Sequence, residues 1–218
     1  MKLLTIMLLA CLAAPLSAAA PARERTSERC QECPECAAET PAPRIVGLRI
    51  YDQTDHTDAG IKQILEVANR IWRPYGISVK PATSPNAITV VISSGVTASP
   101  TNFRPAVLGD TLFTNGHATP YIHLWPANAE ALATGAEIEG RPFVSRSRVE
   151  RDLILTQMLG VALAHELAHY LLDTSSHSVA GLLRGTLGVN DLAFPKPGHL
   201  RLTHDQQRRM CPDGPLTQ

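Results

Sequence analysis

The sequence predicts a single α+β domain in which a mixed, twisted sheet packs on helices. Two observations carry this prediction. The chain from Arg44 to Lys80 has the order strand, helix, strand, which favours parallel strands joined by a right-handed crossover. Residues 150–172 form a long, largely apolar stretch, which indicates one helix of about 23 residues, or roughly 35 Å. Such a helix is expected to run through the core.

The first twenty residues predict a secretory signal peptide. Residues 1–20 contain one early lysine, then an apolar run, then small residues, with cleavage expected after Ala19. The mature protein is therefore expected to be secreted or periplasmic. Cys11 follows a Leu-Leu-Ala sequence similar to a lipobox, so a lipid anchor at Cys11 is the alternative. No other stretch approaches the roughly 18 apolar residues that a membrane span needs.

A linker or tail follows at residues 21–43. It is charged and proline-rich, with almost no large apolar side chains, so it cannot bury enough surface to fold alone. It contains Cys30, Cys33 and Cys36, and Cys211 makes a fourth cysteine in the mature chain. In an oxidising compartment this even number favours two disulfides. A second metal site, and a tail thiolate that occupies a metal before processing, are the alternatives.

The remaining residues, 44–218, are expected to form one folded domain. About 175 residues suit a single core, and 44% of the whole chain is apolar. The 20 basic and 20 acidic residues give a net charge of zero. This balance offers no electrostatic argument for binding nucleic acid or an anionic membrane surface.

The first half of the domain has clear signals for strands and one helix. Arg44–Tyr51 is rich in β-branched and apolar residues and predicts a strand. Asp58 is expected to cap a helix whose apolar residues recur at spacings of three and four. A Pro-Tyr-Gly sequence ends this helix before a second strand at Ile77–Lys80. Ile88–Ile92 is apolar on both faces and predicts a central strand.

Residues 93–119 are rich in proline, glycine, serine and threonine and give the weakest structural signal. A short strand is expected either at 106–108 or at Thr111–Phe113. Tyr121–Trp125 alternates in the manner of a further strand. We assign this last segment as the strand that pairs with an extended peptide substrate.

Three helices are expected in the second half of the domain. Glu130–Glu139 is predicted to form a short helix before a glycine, and Leu202–Met210 a final helix capped by Thr203. The long helix at 150–172 lies between them. Its apolar face continues, towards the C-terminal end, into the face that carries His165 and His169.

The chemical motif of the sequence is His-Glu-x-x-His. His165 and His169 are four residues apart, so they lie on one face of the helix about one turn from each other. Glu166 lies beside that face, where its carboxylate can reach a metal-bound water without binding the metal. His177 follows eight residues after His169, beyond a polar run that can end the helix and reverse the chain. Three histidines predict a Zn²⁺ site with an open fourth position, the catalytic arrangement.

The expected reaction is hydrolysis of a peptide bond. Zinc lowers the pKa of bound water towards about 7, and Glu166 takes its proton and passes it to the leaving nitrogen. Asp173 lies four residues after His169 and competes with His177 as the third ligand. Two interpretations compete with a peptidase: a helix whose histidines are merely packed, and a secreted zinc-binding protein without turnover. Glu166 argues against the second, because a pure binding site needs no general base.

At these residues the sequence resembles the zincin metallopeptidases, and more narrowly the metzincin-like branch. It is most similar to small secreted bacterial zincins in which seven residues separate HExxH from a third histidine. The resemblance implies a zincin-like fold, zinc as cofactor, a peptide or protein substrate, three histidine ligands and a glutamate base. The matching positions are His165, Glu166, His169, His177, Ser178, Gly181, Leu182, Leu183 and Arg184.

Three departures from the usual metzincin pattern concern the segment after the helix. The third histidine lies eight residues after His169 rather than six, and no glycine occurs between His169 and His177. Asp173 is expected to supply the turn instead, because aspartate tolerates left-handed geometry better than most residues. Leu183 replaces the methionine beneath the metal and lacks its polarizable sulfur.

Overall fold

The computed structural model describes residues 43–54, 56–94 and 107–210. The expected signal peptide, lipid anchor, cysteine-rich tail and disulfides involve residues outside these ranges and stay predictions. Within the described ranges, no helix combines the length and the apolar character that crossing a membrane requires.

A mixed sheet of five strands forms one layer of the domain. Its strands are β1 (Arg44–Asp52), β2 (Ile77–Pro81), β3 (Ile88–Ile92), β4 (Gly109–Thr114) and β5 (His117–Leu124), in the spatial order β2-β1-β3-β5-β4. The first three strands and β5 pair in parallel, whereas β4 pairs antiparallel with β5 at the edge. The predicted parallel opening and the predicted central position of Ile88–Ile92 are therefore confirmed.

Five helices and a small hairpin complete the described fold, which is α+β as predicted. The helices are α1 (Asp58–Trp72), α2 (Pro126–Thr134), α3 (Arg148–Leu171), α4 (Val189–Ala193) and α5 (His204–Met210), and the hairpin consists of β6 (Glu137–Ile138) and β7 (Arg141–Pro142). The helices α1 and α3 pack against each other, α1 against β2 and α3 against β4 and β5. Their buried faces share one apolar core with the strands.

Capping residues account for where the two long helices begin. The Thr57 hydroxyl accepts from Gly60 N at 3.2 Å, so Thr57 rather than the predicted Asp58 caps α1. Asp58 is the first helical residue, where its negative charge favours the positive end of the helix dipole. Helix α3 begins two residues before the predicted Glu150, because Ser147 and Glu150 form a capping box.

The strand β5 begins at His117, four residues before the predicted start at Tyr121. Asn115 and Gly116 have φ values of 52° and 83° and form a two-residue turn between β4 and β5. Such turns require positive φ at both central positions, which asparagine and glycine tolerate. An Asn-Gly turn therefore forms a hairpin in the region where the sequence signal was weakest.

The predicted helix at Glu130–Glu139 is wrong in its position. Helix α2 begins at Pro126, whose fixed φ suits the first helical turn, and ends at Thr134. The chain then forms the β6–β7 hairpin, in which Glu139 and Gly140 have φ values of 50° and 72°. The final helix agrees better with expectation, since the Thr203 hydroxyl accepts from Gln206 N at 3.3 Å and caps α5.

The strand expected at Thr111–Phe113 is confirmed as part of β4, while residues 107 and 108 lie before it. The structure contradicts the assignment of Tyr121–Trp125 as the strand that pairs with substrate. These residues belong largely to β5, which lies between β3 and β4, so both of its edges already pair. The edge strand next to β5 is β4, and β2 forms the opposite edge of the sheet.

Helix α3 packs closely against α1 at a glycine. A Cβ at Gly160 would lie 2.4 Å from the Cβ of Val67 and 2.9 Å from the carbonyl oxygen of Ile64. The two backbones can come this close only because Gly160 has no side chain. The contact sets the position of α3, and hence of the residues near its C-terminal end.

Candidate metal centre

Helix α3 carries three of the predicted site residues in its last two turns. His165, Glu166 and His169 lie on the part of the helix that faces β4 and the chain segment after the helix. Glu166 and His169 are 6% and 5% exposed, respectively. Buried polar groups of this kind need partners.

A chain reversal brings the third histidine back to the helix. Asp173 adopts a φ of 45°, the left-handed turn that was predicted for it. The returning chain is held by a hydrogen bond from Ser178 N to Leu183 O at 2.8 Å. A Cβ at Gly185 would lie 3.3 Å from the Cβ of His177, so the backbone at Gly185 packs directly against this histidine.

The Nε2 atoms of the three histidines converge. The Nε2 of His165 lies 3.1 Å from that of His169 and 3.3 Å from that of His177. Ligands about 2.0–2.1 Å from a tetrahedral Zn²⁺ are roughly 3.3 Å apart, so these separations suit a zinc site. Within the described residues, this trio is the one group of three or more histidine, cysteine or acidic side chains close enough to share a metal.

Hydrogen bonds orient two of the imidazoles. The Nδ1 of His165 donates to the carbonyl of Leu182 at 2.7 Å, and the Nδ1 of His169 donates to the carbonyl of Thr174 at 2.6 Å. Carbonyl oxygens only accept, so in each neutral ring the Nε2 carries a lone pair. Two lone pairs 3.1 Å apart repel each other. A cation between them removes this repulsion, which is the strongest indication that the cluster fits a metal.

Burial keeps these imidazoles neutral. Burial first, then the neighbouring His169 and to a smaller extent His177, lower the pKa of His165 to about 4 against the opposing effect of its hydrogen bond to Leu182. Burial also lowers the pKa of His169. A metal binds the neutral imidazole, so His165 and His169 need not lose a proton before binding a metal at neutral pH.

Glu166 lies beside the histidines but outside their cluster. Its Oε2 accepts a hydrogen bond from the hydroxyl of Thr111 at 2.9 Å. Burial raises the pKa of Glu166 to about 8; the Thr111 hydrogen bond opposes this rise, while the Asp110 carboxylate adds to it. A dication bound by the adjacent imidazoles would lower this pKa again.

Three residues of β4 contact the site, and sequence reasoning assigned none of them a role in it. Gly109 lies over Glu166, where a Cβ would be 3.1 Å from its Cγ. Thr111 bonds to Glu166, and the ring of Phe113 meets that of His169 edge-on with 6.4 Å between centroids. Their spacing of two residues is the available sequence signal, since alternate strand residues share a face. The face could not be related to α3 without the register of β4.

The alternative ligand Asp173 lies apart from the histidine cluster. Its carboxylate accepts from the backbone N of Ala118 and from Nδ1 of His117, both at 2.7 Å. These bonds tie the turn after α3 to the β4–β5 hairpin. The structure therefore brings His177, and not Asp173, to His165 and His169.

The turn beneath His165 is anchored by the segment before α5. The carbonyl oxygen of Leu182 accepts a hydrogen bond from Nδ1 of His165, and the backbone N of Leu182 donates to the carbonyl of Arg201 at 3.0 Å. A Cβ at Gly181 would lie 2.2 Å from that same carbonyl oxygen, and Gly181 has a φ of 79°, so only glycine fits there. Leu183, which stands where the metzincin-like pattern has methionine, is fully buried.

A cavity of about 720 Å³ opens onto the cluster. Its walls come from β4, α3 and the chain between Arg184 and Leu192. Apolar side chains line it beside the histidines and Glu166, among them Leu108, Ala162, Leu187 and Leu192. Concave apolar sites with a few convergent polar groups are typical of substrate pockets.

No protein-family model matches the sequence, and no curated protein matches it. The assignment depends on the residues of the histidine cluster, on Glu166 and on the strand that lies over them.

Proposed function

We propose that the protein is a secreted, zinc-dependent endopeptidase of zincin-like fold that hydrolyses peptide bonds in peptide or protein substrates. The observation that carries the proposal is the convergence of three imidazole Nε2 atoms beside a buried carboxylate that stays outside their cluster. Three ligands and an adjacent carboxylate are sufficient for hydrolysis by metal-activated water.

His165, His169 and His177 would hold the metal, and the separations of 3.1 and 3.3 Å from the Nε2 of His165 to those of the other two support zinc. Three protein ligands leave the fourth tetrahedral position free for water or substrate, as catalytic zinc sites do. When bound, zinc supplies a Lewis acid that activates water and polarises the scissile carbonyl. The carbonyls of Leu182 and Thr174 hold two of the imidazoles in the tautomer that this role requires.

Glu166 is the proposed general base. It neighbours the first ligand on α3, and its carboxyl group is buried, which favours proton exchange over permanent ionisation. Its carboxylate accepts a proton from water and later donates it to the leaving nitrogen. A buried carboxylate with no catalytic role would lower stability without any compensating function.

The edge strand β4 supports a peptide as the substrate. Among the described residues β4 pairs on one side only, with β5, so its other edge can accept an extended chain. Added strands gain main-chain hydrogen bonds along their length, and pockets beside them select alternate side chains. The same strand borders the cavity at the histidines, so a peptide on β4 would run across the site.

The proposal of a zincin-like fold rests on the HExxH motif at residues 165–169, and the elements around the motif support it. The long helix carries HExxH, a mixed sheet packs on it, and the chain reverses through a tight turn to a third histidine. Secretion rests on residues 1–20 of the sequence alone.

Replacement of the base tests the proposal. In Glu166→Gln the histidine cluster is intact, so we expect one equivalent of zinc to remain while peptide cleavage falls by about 10²- to 10⁴-fold, the usual contribution of a general base. Metal analysis and a peptide-library cleavage assay on wild type and variant measure both quantities. Retained activity in the variant would contradict the role of Glu166, and loss of zinc would show that the carboxylate belongs to the metal site.

The same assay separates a peptidase from a secreted zinc-binding protein without turnover. One equivalent of zinc in the wild type with no cleavage of any peptide would support the second function. The burial of Glu166 next to the cluster favours the first.

A further inference from the structure

Among the described residues, Thr111 makes the one side-chain hydrogen bond that links β4 to the proposed base. Its hydroxyl lies 2.9 Å from Oε2 of Glu166 and 2.9 Å from the main-chain oxygen of the same residue. Thr111 is 8% exposed, and 55 residues separate it from Glu166 in the chain. The contact is therefore a buried, long-range one made by the tertiary fold.

The Thr111 hydroxyl is equally close to two acceptor oxygens of Glu166 but can donate only one hydrogen bond. A threonine hydroxyl has one hydrogen, and both neighbouring atoms of Glu166 can accept it. The charged carboxylate is the stronger acceptor, so the hydrogen goes to Oε2 when Glu166 is ionised.

Two residues of β4 together restrict the carboxyl group. Gly109 leaves room for the Glu166 side chain, since a Cβ there would lie 3.1 Å from its Cγ, and Thr111 bonds to its outer end. The carboxyl group is thus held between α3 and β4. Rotation about its terminal bond would break the Thr111 bond.

We propose that Thr111 is a positioning residue for Glu166: its hydroxyl binds Oε2 and fixes the orientation of the carboxyl group. This inference rests on the proposed function, and it adds that the strand offered to the substrate also holds the base.

Three variants separate positioning from packing. Thr111→Val has the same shape without the hydroxyl, and Thr111→Ser keeps the hydroxyl. Thr156→Val is the matched control, because Thr156 is 9% exposed and bonds within α3 to the carbonyl of Asp152 at 2.8 Å. All three alter a buried threonine, but only the first removes a partner of Glu166.

We expect Thr111→Val to lower kcat by about 10- to 100-fold, the loss of one hydrogen bond to a charged group, with KM and zinc content unchanged. Thr111→Ser should stay within about threefold of wild-type kcat, and Thr156→Val should match wild type. Wild-type kcat in Thr111→Val, or an equal loss in Thr111→Ser, would overturn the inference. A wild type that cleaves no peptide would instead overturn the proposed function.

A second measurement does not depend on activity. The shifts in thermal midpoint of Thr111→Val and Glu166→Ala should not add in the double variant, because either change alone breaks the same bond. The shifts of Thr156→Val and Glu166→Ala should add. Additive shifts for the Thr111 pair would show that the bond does not exist in solution, whatever the enzyme does.

Discussion

At the scale of single residues, two main-chain carbonyls fix the tautomer and ring orientation of His165 and His169. The carbonyls of Leu182 and Thr174 each accept from an Nδ1 and turn Nε2 of His165 and His169 towards the centre of the cluster. Both carbonyls belong to the segment that also carries His177. One loop therefore supplies the third imidazole and orients the other two.

The choice between His177 and Asp173 as third ligand gives a paired prediction. His177→Ala should weaken zinc binding by more than the roughly 10- to 100-fold that follows loss of a ligand's hydrogen-bond partner. Asp173→Asn should keep zinc affinity, because asparagine also tolerates the positive φ and can accept from Ala118 N. Competition for zinc with a chelator of known affinity measures the zinc affinity of each variant. If Asp173→Asn lost zinc and His177→Ala kept it, Asp173 would be the ligand.

At the scale of elements, the close crossing of α1 and α3 holds the site helix in place. The crossing depends on Gly160, which lies against Val67 and the backbone of Ile64. Glycine in a helix interior is usually unfavourable by about 1 kcal/mol relative to alanine. Here packing outweighs that propensity.

We therefore expect Gly160→Ala to destabilise the protein by about 1–3 kcal/mol, as overpacked cores do. Rotation of a side chain cannot relieve the contact, since the added Cβ would meet the Cβ of Val67 at 2.4 Å and a backbone oxygen at 2.9 Å. Gly135→Ala is the control, because Gly135 has a φ of −85° and nothing within 4 Å of an added Cβ. Denaturant unfolding measures both; equal stability of the two variants would rule out the tight crossing.

At the scale of the whole molecule, the histidine cluster joins parts of the fold that are distant in sequence. Helix α3 contributes two of the three histidines, and the segment that contributes the third is hydrogen-bonded to Arg201 through Leu182. Helix α5 is linked to the end of α3, where the Arg209 guanidinium donates to the carbonyl of Leu172. A metal in the cluster would complete this connection.

Zinc should accordingly raise the thermal midpoint of chelator-treated protein. A ligand that binds only the folded state stabilises it by about 4 kcal/mol at 1,000 times its dissociation constant. The variant His177→Ala should show a much smaller rise at the same zinc concentration. Thermal unfolding by circular dichroism, with and without zinc, checks this; a rise of equal size in both proteins would place the stabilising zinc elsewhere.

The fold was predictable from sequence where the signal is local. Strands β1 to β3 and helix α1 follow from runs of β-branched residues and from apolar spacing within short windows. The extent of β5 and the position of α2 were missed although their signals, the Asn115-Gly116 turn and the helix-starting Pro126, are also local. The role of β4 as edge strand depends on pairing with residues of the opposite strand, which no local pattern encodes.

The sequence by itself determined that His165 and His169 share one face of a helix with Glu166 beside them, because helical geometry follows from spacing alone. It also indicated the turn at Asp173, through that residue's tolerance of positive φ. Only the tertiary structure decided that His177 and not Asp173 reaches the pair, and that Thr111 holds Glu166. These contacts depend on the path of a loop and the register of a distant strand, which packing of the whole domain sets.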